Sequence, residues 1–129
     1  MRAVKALGEV ALRVTDLDKS QGFYRDVIGL DVMKRFDHAI CFRVADGHAG
    51  HTAILALFDR KVPVEQTRTT LDHIAFTIAR EDYEAERQRL EQLGVPTEVA
   101  THKWVHWRSL YVQDPDGNEV ELVCYDPTA

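Results

Sequence analysis

The sequence has little cysteine, and what it has excludes two kinds of site. Its two cysteines, Cys41 and Cys124, are far apart in the chain and form no C-x-x-C motif. Neither a zinc ribbon nor a redox-active cysteine pair is therefore expected. Two free thiols are typical of a protein kept in a reducing compartment, so we expect a cytoplasmic location.

The sequence also lacks an excess of positive charge and a long hydrophobic run. Its 129 residues include 16 lysines and arginines against 21 aspartates and glutamates, a formal net charge of -5. A mildly acidic chain without a basic block lacks the positive surface that nucleic acids and anionic membranes attract, so we expect neither partner. Lys5, Glu9 and Arg13 interrupt the apolar N-terminal stretch. We therefore expect no signal peptide, and no run approaches the length of a membrane span.

What is present is the composition of an ordinary globular protein. Apolar residues make up 45% of the chain and charged residues 29%, the proportions of a chain that folds around a hydrophobic core. Since a domain takes roughly 150 residues, this length predicts one domain.

An internal repeat is the most informative feature of the sequence. Residues 7–14 resemble residues 71–78: both begin with leucine, have alanine at the fifth place and alternate apolar with other residues. That alternation is the period of a half-buried strand. A helix-like stretch follows each strand and ends at a glycine, Gly29 in the first copy and Gly94 in the second. The agreement over strand, helix and terminating glycine indicates two copies of one unit.

Each copy is predicted to fold as a strand, a helix and three further strands. The later strands are expected at residues 32–36, 38–44 and 52–58 in the first copy, and at 97–100, 108–113 and 119–125 in the second. The fold class is thus α+β: two tandem βαβββ modules, about 5–58 and about 71–125, joined by a linker at 59–70. We expect the modules to form a curled mixed sheet around a trough, with the helices outside. Because half a chain of this length is marginally stable alone, they should share a core or pair with a second chain.

Strand alternation places three polar side chains on the face away from the helices: Glu9, His73 and Glu121. One imidazole and two carboxylates can bind a divalent cation, with Mn, Fe, Zn, Ni and Mg all compatible. A structural interpretation stays open, in which Glu9 is a solvated strand end, His73 a core histidine and Glu121 an edge charge. The equivalent positions of Glu9 and His73 in the two copies favour the metal site.

Three segments of the sequence together form a recognisable pattern: VALRVTDL at 10–17, LDHIAF at 71–76 and LYVQDPDGNEVEL at 110–122. The pattern resembles the vicinal oxygen chelate superfamily, which contains glyoxalases, extradiol dioxygenases and fosfomycin- and bleomycin-resistance proteins. In the last segment, Asp-Pro-Asp-Gly predicts a tight turn that aims the final strand. The resemblance covers nearly the whole chain. It implies metal ligands at Glu9, His73 and Glu121, a small-molecule substrate with adjacent oxygens, and a homodimer.

The resemblance also discriminates among activities. It implies that glyoxalases use a fourth, carboxylate ligand in the last strand of the first module, where residues 52–58 offer only TAILALF. Three-ligand sites resemble those of extradiol dioxygenases and fosfomycin-resistance enzymes, which normally have histidine where this chain has Glu9. A second carboxylate favours Mn²⁺ or Mg²⁺. Our leading interpretation is a metal-dependent enzyme similar to extradiol dioxygenases. The alternatives are a metal-free binding protein of the bleomycin-resistance type, a glyoxalase-like lyase or isomerase, and a fosfomycin-resistance-like transferase.

Two further side chains are candidates for catalysis. Alternation places Tyr111 on the same face as the ligands, where the resemblance implies that its hydroxyl donates to a metal-bound oxygen; a core tyrosine is the equal alternative. His106 is a candidate acid or base in the segment 101–108, which holds both tryptophans. That composition fits a pocket wall and a dimer interface equally well. His48 and His51, near a predicted hairpin tip, are weaker candidates.

Overall fold

The computed structural model of the protein describes residues 3–59 and 70–129, which belong to two compact units, one in each half of the chain. The first contains β1 (Glu9–Val14), α1 (Leu17–Gly22) with a π-helical continuation (Phe23–Ile28), β2 (Asp31–Arg35), β3 (Ala39–His48) and β4 (His51–Asp59). The second contains β5 (His73–Thr77), a 3-10 turn (Arg80–Asp82), α2 (Tyr83–Gln92), β6 (Glu98–His102), β7 (Trp107–Gln113) and β8 (Glu119–Tyr125). Apart from its two ends, the predicted linker 59–70 lies outside the described residues.

Both units have the same topology. The strand order is β1-β4-β3-β2 in one sheet and β5-β8-β7-β6 in the other. In each, the first strand pairs in parallel with the last, and the remaining pairs are antiparallel. The prediction of tandem βαβββ modules with mixed sheets is confirmed, whereas the trough and the single-domain assignment stay predictions. Within the described residues, no helix has the length and apolar character needed to cross a membrane.

One face of the first sheet forms the core of the first unit. Asp16 starts α1 by accepting a hydrogen bond at Oδ1 from the Lys19 backbone N–H at 3.0 Å, and Gly29 ends the helical region with a φ of 91°. The Tyr24 ring then lies 6.0 Å from that of Phe42 on β3. The buried apolar side chains of this unit include Leu12, Val14, Leu17, Tyr24, Ile40, Phe42, Leu55 and Leu57.

The second unit repeats this packing under α2. Tyr83 and Leu90 are buried on the helix, and the Tyr83 hydroxyl donates to the Ser109 carbonyl oxygen at 3.1 Å. The sheet contributes Leu110, Val112, Val120, Leu122 and Cys124. Leu93, which helical spacing from Leu90 would place on the same apolar stripe, is instead 52% exposed. Leu93 is the residue that follows α2, which ends at Gln92.

The predicted turn before β8 is confirmed. Asp114 Oδ1 accepts hydrogen bonds from the backbone N–H groups of Asp116 at 3.0 Å and Asn118 at 2.8 Å. Gly117 has a φ of 82°, which glycine adopts without steric cost. The turn sends β8 back antiparallel to β7 and fixes which residues of the two strands face each other.

Candidate metal centre

His73 and Glu121 are brought together by the pairing of β5 with β8. His73 begins β5, and its partner on the neighbouring parallel strand β8 is Glu119. Glu121 lies two residues further along β8. His73 Nε2 lies 3.2 Å from Glu121 Oε1. Two donors that are each about 2.1 Å from one ion, at an angle of about 90–110°, are separated by roughly 3.0–3.4 Å. The pair therefore has the spacing of two ligands of a single cation.

Asp72 orients the imidazole from the other side. Its Oδ2 accepts a hydrogen bond from His73 Nδ1 at 2.7 Å, which leaves Nε2 directed at Glu121. Metal-binding histidines commonly have their second nitrogen held in this way by a carboxylate. The hydrogen bond to Asp72 is also the main reason that the pKa of His73 is raised; partial burial lowers it, and the charges of Glu121, Asp72 and Glu119 raise it again.

Glu121 is a buried carboxylate. It is only 6% exposed, because β8 lies between β5 and β7 inside its sheet. The interpretation of Glu121 as an edge charge is therefore wrong. Its Oε2 accepts a hydrogen bond from the buried Ser109 hydroxyl at 2.5 Å, while Oε1 faces His73. A carboxylate so removed from water needs such partners.

Glu119 is a potential ligand that the sequence analysis did not select. It is the cross-strand neighbour of His73, and ligand-capable atoms of Asp72, His73 and Glu119 all lie within 4.8 Å of one another. The signal was available, since Glu119 precedes Glu121 by two residues and alternation places both on one face of the sheet.

Tyr111 lies next to Glu121 across the β7–β8 pair. Its ring meets the His73 ring edge-on, with 6.5 Å between centroids, and its hydroxyl oxygen lies 2.9 Å from His102 Nε2. Burial raises the pKa of Tyr111; a hydrogen bond with Ser109 lowers it, and the charge of Glu121 together with a hydrogen bond to it raises it further. The hydroxyl is thus held protonated beside the proposed ligands.

The predicted acid–base histidine, His106, is more exposed than His102, which lies at the end of β6. His106 is exposed in the turn between β6 and β7, with a φ of 58°, and its Nδ1 donates to the Ala129 carbonyl oxygen at 2.8 Å. His102, by contrast, places its Nε2 within hydrogen-bond distance of the Tyr111 hydroxyl. Sequence reasoning missed this contact because it depends on the register of β6 against β7, which alternation does not fix. The acid–base role of His106 stays a prediction.

The remaining candidates lie in the first unit. Glu9 begins β1, is exposed and stands opposite Ile54 on β4. On the same face β4 continues with Ala56 and Phe58, which agrees with the expected lack of a fourth ligand in that strand. Glu9 itself stays a predicted ligand. His48 and His51 face each other across the β3–β4 hairpin.

A cavity of about 370 Å³ opens beside Tyr111 and Glu119. Its wall includes the carboxylate residue Glu98, the amide residue Gln113 and the segment 95–97 that precedes β6. The volume is within the range of sites for small organic molecules. Tyr111 and Glu119 thus belong both to the cavity wall and to the strand neighbours of His73 and Glu121.

The sequence profile of the glyoxalase/bleomycin resistance protein/dioxygenase superfamily matches residues 6–122 of this chain. The chain belongs to this superfamily. Its relatives within the superfamily include glutathione transferase FosA from Serratia marcescens, 31% identical over 119 residues that make up 92% of this chain and 80% of the relative. Metallothiol transferase FosB from Staphylococcus epidermidis ATCC 12228 is 26% identical over 125 residues, 92% of this chain and 81% of the relative.

Solved structures agree with the family assignment. The integron cassette protein HFX_CASS4, from the mobile metagenome of the Halifax Harbour sewage outfall, has a TM-score of 0.77 and 26% identity. The alignment covers 94% of this chain and 99% of that protein. The resemblance stated from the motifs is therefore confirmed, together with the fold that it implied. The named curated relatives are enzymes, which supports an enzymatic function for this member of the superfamily.

Proposed function

We propose that this protein is a divalent-metal-dependent transferase of the fosfomycin-resistance type. The observation that carries the proposal is the 3.2 Å His73–Glu121 pair in a chain similar to a glutathione transferase and a metallothiol transferase along 92% of its length. These relatives favour the transferase alternative over our leading interpretation of an extradiol dioxygenase. A glyoxalase-like activity is disfavoured by the apolar β4 strand.

The proposed reaction is the addition of a thiol to a small substrate with adjacent oxygens and a strained carbon–oxygen ring. The sulfur–carbon bond forms, one carbon–oxygen bond of the ring breaks, and the thiol proton ends on the released oxygen, so no oxidant or reductant is required. A bound cation supplies Lewis-acid stabilisation of the charge that develops on that oxygen.

The residues of the chain have distinct proposed roles in this reaction. His73 and Glu121 hold the cation, and Glu9 is the proposed third ligand on the sequence argument. Tyr111 donates its hydroxyl proton toward the substrate oxygen, beside Glu121. His106 is the proposed acid–base histidine. One imidazole with two carboxylates favours Mn²⁺ or Mg²⁺ among the compatible ions. We further propose a cytoplasmic homodimer.

Metal content and product formation test the proposal together. The protein is purified without chelators, its metal is measured by mass spectrometry, and it is incubated with Mn²⁺, fosfomycin and glutathione or cysteine. We expect bound divalent metal and a product whose mass is the sum of the two reactants. Glu121→Gln should abolish both. Glu81→Gln, which changes an exposed glutamate of the 3-10 turn, should abolish neither.

The other functions give different results in the same samples. Oxygen uptake with catechols in the presence of Mn²⁺ or Fe²⁺, without formation of a thiol adduct, would favour the function of an extradiol dioxygenase. Absence of bound metal, with unchanged ligand binding in Glu121→Gln, would indicate a metal-free binding protein of the bleomycin-resistance type.

A further inference from the structure

Ser109 is a serine of β7 whose hydroxyl lies beside the carboxylate of Glu121. In the register of β7 with β8, Tyr111 is opposite Glu121 and Ser109 is opposite Val123. Because side chains two residues apart lie on the same face of a strand, Ser109 shares the face of Tyr111 and Glu121. Its Oγ lies 2.5 Å from Glu121 Oε2, and the residue is fully buried. Water therefore has little access to this contact.

The direction of this hydrogen bond is fixed when Glu121 binds a cation. A carboxylate that binds a metal ion is ionised, and an ionised carboxylate can only accept hydrogen bonds. The proton between the two oxygens is then the single hydroxyl proton of Ser109, donated to Oε2. The other oxygen, Oε1, lies 3.2 Å from His73 Nε2. Glu121 thus has one oxygen held by Ser109 and one directed at the other proposed ligand.

The fold holds Ser109 in place from both strands and from the opposite face of the sheet. β7 lies between β6 and β8, where Ser109 is the cross-strand partner of Ala100 and Val123. The Tyr83 hydroxyl, on α2, donates to the Ser109 backbone carbonyl oxygen at 3.1 Å. A donor on a rigid strand can keep a ligand in one orientation.

We propose that Ser109 is a positioning residue that limits Glu121 to one ligand oxygen and thereby selects against Ca²⁺. The inference rests on the proposed function for a cation held by His73 and Glu121. Ca²⁺ takes roughly six to eight oxygen ligands and accepts both oxygens of one carboxylate, whereas Mg²⁺ requires near-ideal octahedral geometry with fewer protein ligands. A glutamate whose Oε2 is already hydrogen-bonded suits the smaller ion. Without the Ser109 donor, Oε2 becomes available as a second ligand oxygen.

Competition against bound Mn²⁺ measures this selectivity in the absence of substrate. The protein is loaded with Mn²⁺, Mg²⁺ or Ca²⁺ is added in separate titrations, and released Mn²⁺ is followed by electron paramagnetic resonance. We expect the ratio of the Ca²⁺ to the Mg²⁺ dissociation constant to fall by about tenfold or more in Ser109→Ala, on the scale of changes to groups that orient metal ligands. A ratio within about twofold of that of the unmodified protein would overturn the proposal, even if both ions bind more weakly.

Two variants of equal shape separate the hydroxyl from packing. Ser109→Thr keeps the hydroxyl and Ser109→Val replaces it with a methyl group, so both enlarge the buried side chain alike. We expect Ser109→Thr to retain the ratio and Ser109→Val to lower it; equal ratios would contradict the proposal. If the larger side chains prevent folding, Ser109→Ala decides alone. Ser20→Ala, at a fully buried serine of α1, is the matched control and should leave the ratio unchanged.

The titration is independent of the proposed reaction, because it contains neither a thiol nor its acceptor. If the unmodified protein binds Mn²⁺ but forms no thiol adduct, the proposed reaction fails, while the ratio still decides the role of Ser109. If the unmodified protein binds no divalent cation, the inference about Ser109 fails together with the candidate metal centre.

Discussion

At the scale of single residues, two buried serines show what a hydrogen-bond partner contributes. Ser109 and Ser20 are both fully buried. The Ser109 hydroxyl donates to the Glu121 carboxylate. The Ser20 hydroxyl, on α1, meets no hydrogen-bond partner within the part of the chain that the structure describes. Because a buried polar group without a partner costs free energy, the same substitution should act in opposite directions at the two positions.

Ser109→Ala should lower the free energy of unfolding by about 1–3 kcal/mol, since it leaves the buried carboxylate with one hydrogen bond fewer. Ser20→Ala should leave that free energy unchanged or raise it by about 0.5 kcal/mol, because alanine is also the better helix former. Urea unfolding at neutral pH, followed by circular dichroism, measures both. Equal effects of the two substitutions would contradict the role given to the Ser109–Glu121 hydrogen bond.

How far the sequence predicts the candidate site also depends on individual residues. Alternation placed Tyr111 and Glu121 on one face, as the register of β7 and β8 has them. It could not tell that Glu121 is buried, because burial depends on β8 lying between two other strands. Nor could it find His102, whose contact with Tyr111 spans nine positions and depends on the conformation of a long side chain.

At the scale of elements, Asp126 links the segment after β8 to the 3-10 turn and to β7. Its Oδ1 accepts hydrogen bonds from the backbone N–H and the hydroxyl of Thr128, at 2.9 and 2.7 Å. Arg80 in the 3-10 turn lies 3.4 Å from Oδ1, and Arg108 on β7 lies 3.5 Å from Oδ2. The hydrogen bonds from Thr128 are the main reason that the pKa of Asp126 is lowered; the two arginines lower it further, and burial opposes them.

This lowered pKa predicts a pH-dependent contribution to stability. A carboxylate whose pKa is lower in the folded than in the unfolded state stabilises the fold above its unfolded pKa, about 3.9 for aspartate. That contribution is lost as the pH falls from this value through the folded pKa. The unmodified protein should therefore be more stable than Asp126→Asn at pH 7, and the difference should shrink below about pH 4.

Urea unfolding of both proteins from pH 7 to pH 3 measures the difference. Asp31→Asn, at an exposed aspartate of β2, serves as control and should differ little from the unmodified protein at any pH. If the difference in unfolding free energy between Asp126→Asn and the unmodified protein stays constant with pH, the charge of Asp126 does not contribute to stability.

The elements themselves were predicted well where the pattern was strong. Period-two alternation predicted the strands to within a few residues, and Gly29 and Gly94 mark the ends of the helical regions as expected, with φ values of 91° and 71°. The π-helical continuation of α1 was not predicted, because apolar spacing cannot distinguish it from a further α-helical turn. It is recognised only by backbone bonds such as that from the Gly29 N–H to the Tyr24 carbonyl oxygen.

At the scale of the whole molecule, the two modules share a topology but differ in their donors. Glu9 and His73 begin equivalent strands, and each is paired in parallel with the last strand of its own module. The residue opposite His73 is Glu119, whereas the residue opposite Glu9 is Ile54. On the face that carries Glu9, the first module therefore brings one acidic side chain to this pair of strands, whereas on the face of His73 the second module brings a histidine and two glutamates. The repeat predicts one cation per chain, held mainly by the second module.

Glu9→Gln tests whether the first module supplies a ligand to that cation. If Glu9 completes the set, its loss should weaken Mn²⁺ binding by about 10–100-fold or more, on the scale of changes at metal sites, while the bound stoichiometry at saturation stays at one per chain. Titration followed by electron paramagnetic resonance of free Mn²⁺ measures both quantities. Asp31→Asn removes an exposed carboxylate of the same module and should leave the affinity unchanged. Unchanged affinity in Glu9→Gln, with binding abolished in Glu121→Gln, would instead assign the cation to His73, Glu121 and Glu119 of the second module alone.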